Sequence, residues 1–289
     1  AKELAASRAL FRRIIRVSSA YHPEARIAKL NSPASPVSVA LGLMAKYWDI
    51  GKVKTRLGTS IGMRRAASLH RLFLMHLCES LSVINAHREV CMSPSSRMKD
   101  FDRELNQRGL ADSWRVVPQA DGDLGNRIVQ WFDSTFCDQN REPTRALLIG
   151  ADCPTLSAGL ITEANDCLAT HDVVLGPALD GGYYLIGISA PWQRPRFLPL
   201  FERIAWSTEK VLNQTRQRLA ESGLSWSELE SREDVDTLSD LDRLRMQLRS
   251  SSSDDHRSVA AERLQRLLRS IDQIMNDDFD SANPSRCQR

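Results

Sequence analysis

The sequence predicts an α/β fold in which a largely parallel sheet is covered by helices, in one domain with an extension at each end. Three observations lead there. Short apolar runs suited to buried strands alternate with stretches of helical period between residues 37 and 249. Glycine- and acid-bearing loops follow several of those runs, where an open α/β sheet binds its ligands. The composition, 42% hydrophobic and 26% charged over 289 residues, is that of a globular chain long enough to build a large core.

The first apolar run, 37–44, suits a buried strand. A polar, glycine-bearing loop follows over 45–56, then a helical pattern through Leu69, Leu72, Phe73, His76, Leu77 and Leu81. The alternation repeats as a strand at 89–92, a helix at 98–108, a strand at 114–117, a helix at 126–136 and a strand at 145–149. Past the loop 151–156 come a helix at 157–169 and two strands, 172–175 and 183–188, joined through the glycine-bearing 176–182. Two helices close the domain. One follows Ser207, read as its N-cap, with Val211, Leu212 and Thr215 on one side; the other begins near Thr237 and carries Leu238, Leu241, Leu244 and Leu248.

Residues 1–36 form an N-terminal extension expected to be partly disordered, its part from 17 onward reading as a linker. Leu10, Phe11, Ile14 and Ile15 lie among Arg8, Arg12, Arg13 and Arg16, so its start is either a basic amphipathic helix or a solvated extension. Residues 250–256 are a Ser/Asp-rich linker. Beyond them Leu264, Leu267, Leu268, Ile271 and Ile274 recur at helical spacing, which predicts a helix docking on this subunit or on a second one, with a homodimer through that helix as one expectation. The last residues are expected to be disordered.

Several partners are set aside. The net charge of +3 is small and dispersed, which argues against nucleic acid. No apolar run approaches the roughly 18 to 20 residues of a membrane span. The six cysteines contain no C-x-x-C pair, so neither a disulfide framework nor a zinc site is expected, and a cytoplasmic location fits best.

Five segments carry candidate chemistry. In Gly51-Lys52-Val53-Lys54-Thr55-Arg56, three cations fall within five residues on a strand-to-helix turn, where an anion such as phosphate would sit. The bland alternative is a solvated basic loop. Asp152 ends the strand of Leu147-Leu148-Ile149-Gly150-Ala151-Asp152-Cys153-Pro154; it either holds a divalent cation on phosphate oxygens or caps the next helix. Cys153 lacks a histidine nearby in sequence to activate it. Asp180-Gly181-Gly182 is either a ligand-facing loop or a tight turn. In Asp234-Val235-Asp236-Thr237, Asp236 or Thr237 can cap the last helix, and one of the acids can complete a metal site. The stretch from Gln119 through Gly122 and Asp123 to Arg127 is either a nucleotide wall or a helix start with Asp123 near its cap. His70 and His76 read as packing or surface residues.

Together these segments resemble a bacterial family of candidate glycosyltransferases with the GT-A-like nucleotide-diphospho-sugar transferase fold, the radical-SAM/selenodomain-associated transferase 1 type. The likeness is carried in order by AKYWDIGKVKTRL, QADGDLGNR, LLIGADCPTL, DVVLGPALDGGYYLIG, WSTEKVLNQT and DVDTLSDL. It is more distantly similar to molybdenum-cofactor and phospholactate nucleotidyltransferases. The resemblance implies a mixed, mainly parallel sheet in a single domain over 37–249. It implies phosphate or nucleotide contacts at Gly51, Lys52, Lys54, Arg56, Gln119, Gly122, Asp123 and Arg127, and a metal, Mg2+ or Mn2+, at Asp152 with Asp236. Asp180 and Lys54 take the catalytic roles.

Two departures stand out. Trp48 and Ile50 replace the family's usual first-loop prolines, which predicts a looser or differently shaped loop, and Asp152-Cys153-Pro154 replaces the D-x-D of glycosyltransferases with this fold. The expected activity is metal-dependent transfer from a nucleotide-activated donor, glycosyl transfer to a small acceptor first. Nucleotidyl transfer from a nucleoside triphosphate to a phosphorylated small molecule and non-catalytic nucleotide binding are the alternatives.

Overall fold

The computed structural model describes residues 38–138, 143–250 and 258–277. The expected N-terminal extension, residues 251–256 of the expected linker and the last twelve residues lie outside them.

In chain order the elements are β1 (Val39–Lys46), α1 (Thr55–Ile61), α2 (Met63–Leu81), β2 (His87–Ser93), α3 (Met98–Gln107), β3 (Arg115–Pro118), α4 (Leu124–Phe136) and β4 (Arg145–Gly150). There follow α5 (Ala158–Cys167), β5 (Val173–Pro177), β6 (Tyr183–Ser189), α6 (Arg194–Phe197), α7 (Val211–Ser222), β7 (Trp226–Glu228), α8 (Leu238–Ser250) and α9 (Val259–Asn276). The seven strands form one sheet in the order β3-β2-β1-β4-β6-β5-β7. Only β6 runs antiparallel to its neighbours. The turn 178–182 is too short for the crossover that a parallel pair requires, so β5 and β6 form a hairpin and the sheet is mixed but mainly parallel.

Successive strand residues point to opposite faces, and the two cores follow from that alternation. Leu41, Leu43 and Ala45 of β1 join Leu147 and Ile149 of β4 under α2, α3 and α5. Ala40, Ala146 and Leu148 meet Trp131, Phe132, Leu212 and Leu219 of α4 and α7 on the other face. Gly42 lets α4 approach: a β-carbon there would lie 2.5 Å from the Trp131 ring. A third core joins Leu57 and Ile61 of α1, Leu69 and Phe73 of α2, Leu241, Leu244 and Leu248 of α8, and Leu267, Leu268 and Ile271 of α9. Leu267, Leu268 and Ile271 of the predicted apolar stripe are therefore buried within this chain, with Leu264 and Ile274 half-buried beside them.

Three details differ from expectation. A separate helix, α1, precedes the long α2; the chain breaks between them at Gly62, whose φ of 91° ends the first helical run. Ser207 does not cap α7. It sits at φ 63° in a turn, and the N-cap position is Lys210, without a side-chain cap. Thr208 instead closes that turn, its hydroxyl donating to the Ala205 carbonyl at 2.7 Å. Finally, β7 and α6, three and four residues long, are too short for periodicity to reveal.

Candidate active site

Parallel pairing of β1 with β4, Met44 opposite Gly150, brings the loops after both strands to the same edge of the sheet. In the first loop the Lys52 amide closes a turn on the Asp49 carbonyl at 2.9 Å, with Gly51 at φ 76° where a side chain would be strained. The loop is pinned from outside: Arg97 donates to the Asp49 carboxylate and lies over the Tyr47 ring at 4.9 Å, while Tyr47 stacks on Trp48 at 4.2 Å. Aromatic and ionic contacts hold this proline-free loop in place.

Lys54 adopts the left-handed conformation, φ 47° and ψ 42°, just before α1. That backbone costs a non-glycine residue about 1 kcal/mol and sends the side chain inward, where only 1% of it is exposed. Its ammonium donates to Asp152 and, at 3.2 Å, to Asp236. Arg56, 70% exposed, donates to the other oxygen of Asp236. Lys52 is exposed at the rim. Because α1 has only seven residues, the cationic side chains and not a helix dipole are what this loop offers an anion.

The two acids are brought together by backbone pairing. The Val235 amide donates to the Asp152 carbonyl at 3.0 Å, so the segment after β7 runs beside the loop after β4. Asp240 Oδ2 accepts from the Asp236 and Thr237 amides, while the Asp240 amide donates to Thr237 Oγ1, which fixes the start of α8 with Thr237 as its cap. Asp152 is free of capping duty: α5 is capped by Ser157, whose hydroxyl accepts from the Leu160 amide.

The remaining predicted residues lie at the same edge, in loops except for Arg127 in the first turns of α4, each with a structural task. Gln119 follows β3 and donates its amide to the Ala45 and Cys91 carbonyls, both at 2.8 Å. Arg127 donates to the Gly122 carbonyl at 3.0 Å and to Gln119 Oε1 at 3.3 Å, closing the loop on itself. Asp123 caps α4 by accepting from the Asn126 amide at 2.8 Å, which is the helix-start alternative. A cleft of about 550 Å³ between β1–β3 and α4 includes Met44, Val117, Gln119 and Arg127 in its lining. Asp180 accepts from the Gly182 amide at 2.8 Å, the tight-turn alternative, and the Gly181 carbonyl accepts from Leu212 of α7.

Electrostatics separates these groups. Burial alone would raise the Asp152 pKa, but the Lys54 ammonium more than offsets it and holds the carboxyl below its usual range. Burial pulls the Lys54 pKa down; the two carboxylates override that and keep it above the ordinary lysine value, hence charged. Burial pushes the Cys153 thiol up to about 11, which leaves it protonated and unreactive near neutral pH. Two groups that the sequence named without a site role of their own also belong here: Asp234, one of the two acids of the Asp-Val-Asp segment, and His70, read as a packing or surface residue. Asp234 is pushed up to about 7 by burial and by the charges of Asp152 and Asp180. His70, 4% exposed, places Nε2 2.8 Å from the Lys46 carbonyl, so that nitrogen carries the proton and Nδ1 is a buried acceptor without a partner; burial holds its pKa down. Asp-Val-Asp spacing hinted at the first, whereas a histidine within an apolar helix stripe gave no signal for the second.

Among the described residues no group of three or more His, Cys, Asp or Glu side chains is arranged to hold a metal ion. The donor chemistry at Asp152 and Asp236 nevertheless fits a hard divalent cation, which takes one or two carboxylates and completes its shell with phosphate oxygens and water. No helix among the described residues is long and apolar enough to cross a membrane.

Residues 77–208 match the profile of a family described as "Uncharacterized protein conserved in bacteria (DUF2064)". In fold, the chain is similar to a candidate nucleotide-diphospho-sugar transferase from Desulfovibrio desulfuricans G20, at 28% identity and a TM-score of 0.67, over 82% of this chain and 98% of that one. It is also similar to a cytidylyltransferase from Leptospira borgpetersenii, at 12% identity and a TM-score of 0.47, over 83% of this chain and 98% of that one. No curated protein matches the chain in sequence. The chain has the nucleotide-diphospho-sugar transferase fold.

Proposed function

We propose that the chain is a transferase acting on a nucleotide-activated donor, and that it moves a glycosyl group from a nucleotide-diphosphate sugar to a small acceptor. The observation that carries this reading is the Lys54 ammonium held between Asp152 and Asp236 at the carboxyl ends of the strands, with Arg56 beside it. Acids and cations drawn from three loops at one sheet edge suit a ligand that brings both phosphate and a divalent cation.

In this reading Gly51, Lys52, Lys54 and Arg56 take the diphosphate, while Gln119, Gly122, Asp123 and Arg127 wall the nucleoside. Asp152 and Asp236 hold Mg2+ or Mn2+, which when bound supplies Lewis-acid neutralisation of the leaving diphosphate. Asp180 accepts the proton of the acceptor hydroxyl as its oxygen bonds to the anomeric carbon. The bond from that carbon to the diphosphate oxygen breaks, Lys54 and Arg56 offset the charge left on that oxygen, and nucleoside diphosphate departs.

One feature favours a second reading. With Pro154 at the position of the second acid of a D-x-D, this loop offers a single carboxylate, Asp152, where that motif would offer two. A phosphorylated acceptor attacking the α-phosphate of a nucleoside triphosphate, with loss of pyrophosphate, uses the same cations.

A thermal-shift panel of nucleoside di- and triphosphates and nucleotide sugars, with and without Mn2+, tests both. A ligand binding the native state raises the melting midpoint by mass action, so a metal-dependent shift that Asp152→Ala abolishes is the expected result. Product analysis then separates them: nucleoside diphosphate marks glycosyl transfer and pyrophosphate marks nucleotidyl transfer. Binding without turnover would make the protein a nucleotide-binding module, and no shift across the panel overturns the proposal.

A further inference from the structure

We infer that Lys54 and a divalent cation compete for the same two carboxylates, so that the site admits its metal together with the donor's phosphates and holds off the free ion. This rests on the functional reading above and adds the form in which the ligand arrives. Lys54 is already bonded to both acids, from a side chain that is almost wholly buried and a backbone fixed in the left-handed region, so it does not vacate the position by simple rotation into water. Arg56 occupies the second oxygen of Asp236.

Charge counting gives the direction. Asp152 and Asp236 carry two negative charges, and Lys54 and Arg56 carry two positive ones, so the cluster is neutral as it stands. A free divalent ion would leave it with two excess positive charges in a partly buried place and would strip Lys54 of its anions without offering others. A divalent ion carried by a diphosphate restores the balance. The phosphate oxygens then become the new partners of Lys54, and the two carboxylates are released to the metal. Asp234 feels the charge of Asp152, yet among the described residues no group of three or more His, Cys, Asp or Glu side chains is arranged to hold a metal ion, so the free ion finds no ready-made third ligand. Lys54 is thus a placeholder cation as well as a phosphate ligand.

Calorimetric titration of wild type, Lys54→Gln, Lys54→Met and Lys54→Arg with Mn2+ alone, and with Mn2+ in excess inorganic pyrophosphate, tests this. The neutral variants are expected to bind Mn2+ alone at least tenfold more tightly than wild type does, and Lys54→Arg to behave as wild type. Neutral variants that melt cooperatively yet bind Mn2+ alone no better than wild type overturn the inference. Should neither neutral variant fold, the wild type itself decides through the NMR signal of the Lys54 ammonium. That signal is expected to move with Mg2+ in excess pyrophosphate and to stay with Mg2+ alone; movement with Mg2+ alone overturns the inference. If wild type binds neither form of the metal and Asp152→Ala changes nothing, the functional reading itself has failed.

Discussion

At Gly181 a β-carbon would lie 2.2 Å from the Glu209 carbonyl oxygen, on a backbone with φ at 89°. The turn that presents Asp180 therefore depends on one missing methyl group. Gly181→Ala combines a left-handed alanine with a backbone clash, and should cost about 2 kcal/mol or more, read as a lower urea midpoint. Arg97 makes the opposite case. It is 41% exposed, so its ion pairs contribute little to stability, yet it fastens the loop after β1 through Asp49 and Tyr47. Arg97→Ala should leave the unliganded melting midpoint almost unchanged and weaken nucleotide affinity several-fold; equal affinities would show that the loop needs no fastening. The sequence pointed to Lys54 through three cations crowded on one strand-to-helix turn, to Asp152 through a carboxylate just past an apolar strand, and to Asp236 through the Asp-Val-Asp spacing at a helix start. That spacing also offered Asp234 but could not choose between the two acids, and it was silent on His70, since what singles both out is burial beside other charges, a property of the assembled sheet.

Among the elements, strands and long helices followed from periodicity, and the errors lie where local sequence is outvoted by its surroundings. Ser207 has the chemistry of a cap, but the turn around it delays α7 by several residues. The packing of α9 on α2 carries its own pH dependence. His76 of α2 is 7% exposed, with Ser80 Oγ 3.4 Å from its Nε2, and burial together with Arg263 and Arg266 of α9 holds its pKa down to about 4 from 6.5. As the pH falls from 6.5 to 4, the unfolded chain takes up a proton that the folded chain refuses. Stability should therefore fall by about 3 kcal/mol across that window and change no further, through this group, below it. His76→Leu should flatten the slope; urea midpoints at pH 7 and pH 4.5 that differ as much as in wild type would rule this out.

For the whole molecule, the third core matters more than its size. It joins α1, which starts beside Lys54, to α8, which starts beside Asp236, and α9 packs over it. Ile271 of α9 is fully buried there, and Ile271→Ala should cost about 2 to 4 kcal/mol by leaving a cavity. It should also reduce the metal-dependent nucleotide shift, because the spacing of Lys54 and Asp236 rests on this packing. A loss of melting temperature with the shift intact would separate the core from the site.

Lys54 reaches across 98 positions to Asp152 and across 182 to Asp236. Contacts so distant in sequence are among the last to form when a chain folds, because each must close a long loop before any reward is felt. Rates should reveal this order. A ligand held at the carboxylate pair should slow unfolding in stopped-flow experiments and leave the refolding rate almost untouched, since at the folding barrier there is not yet a place for it to bind.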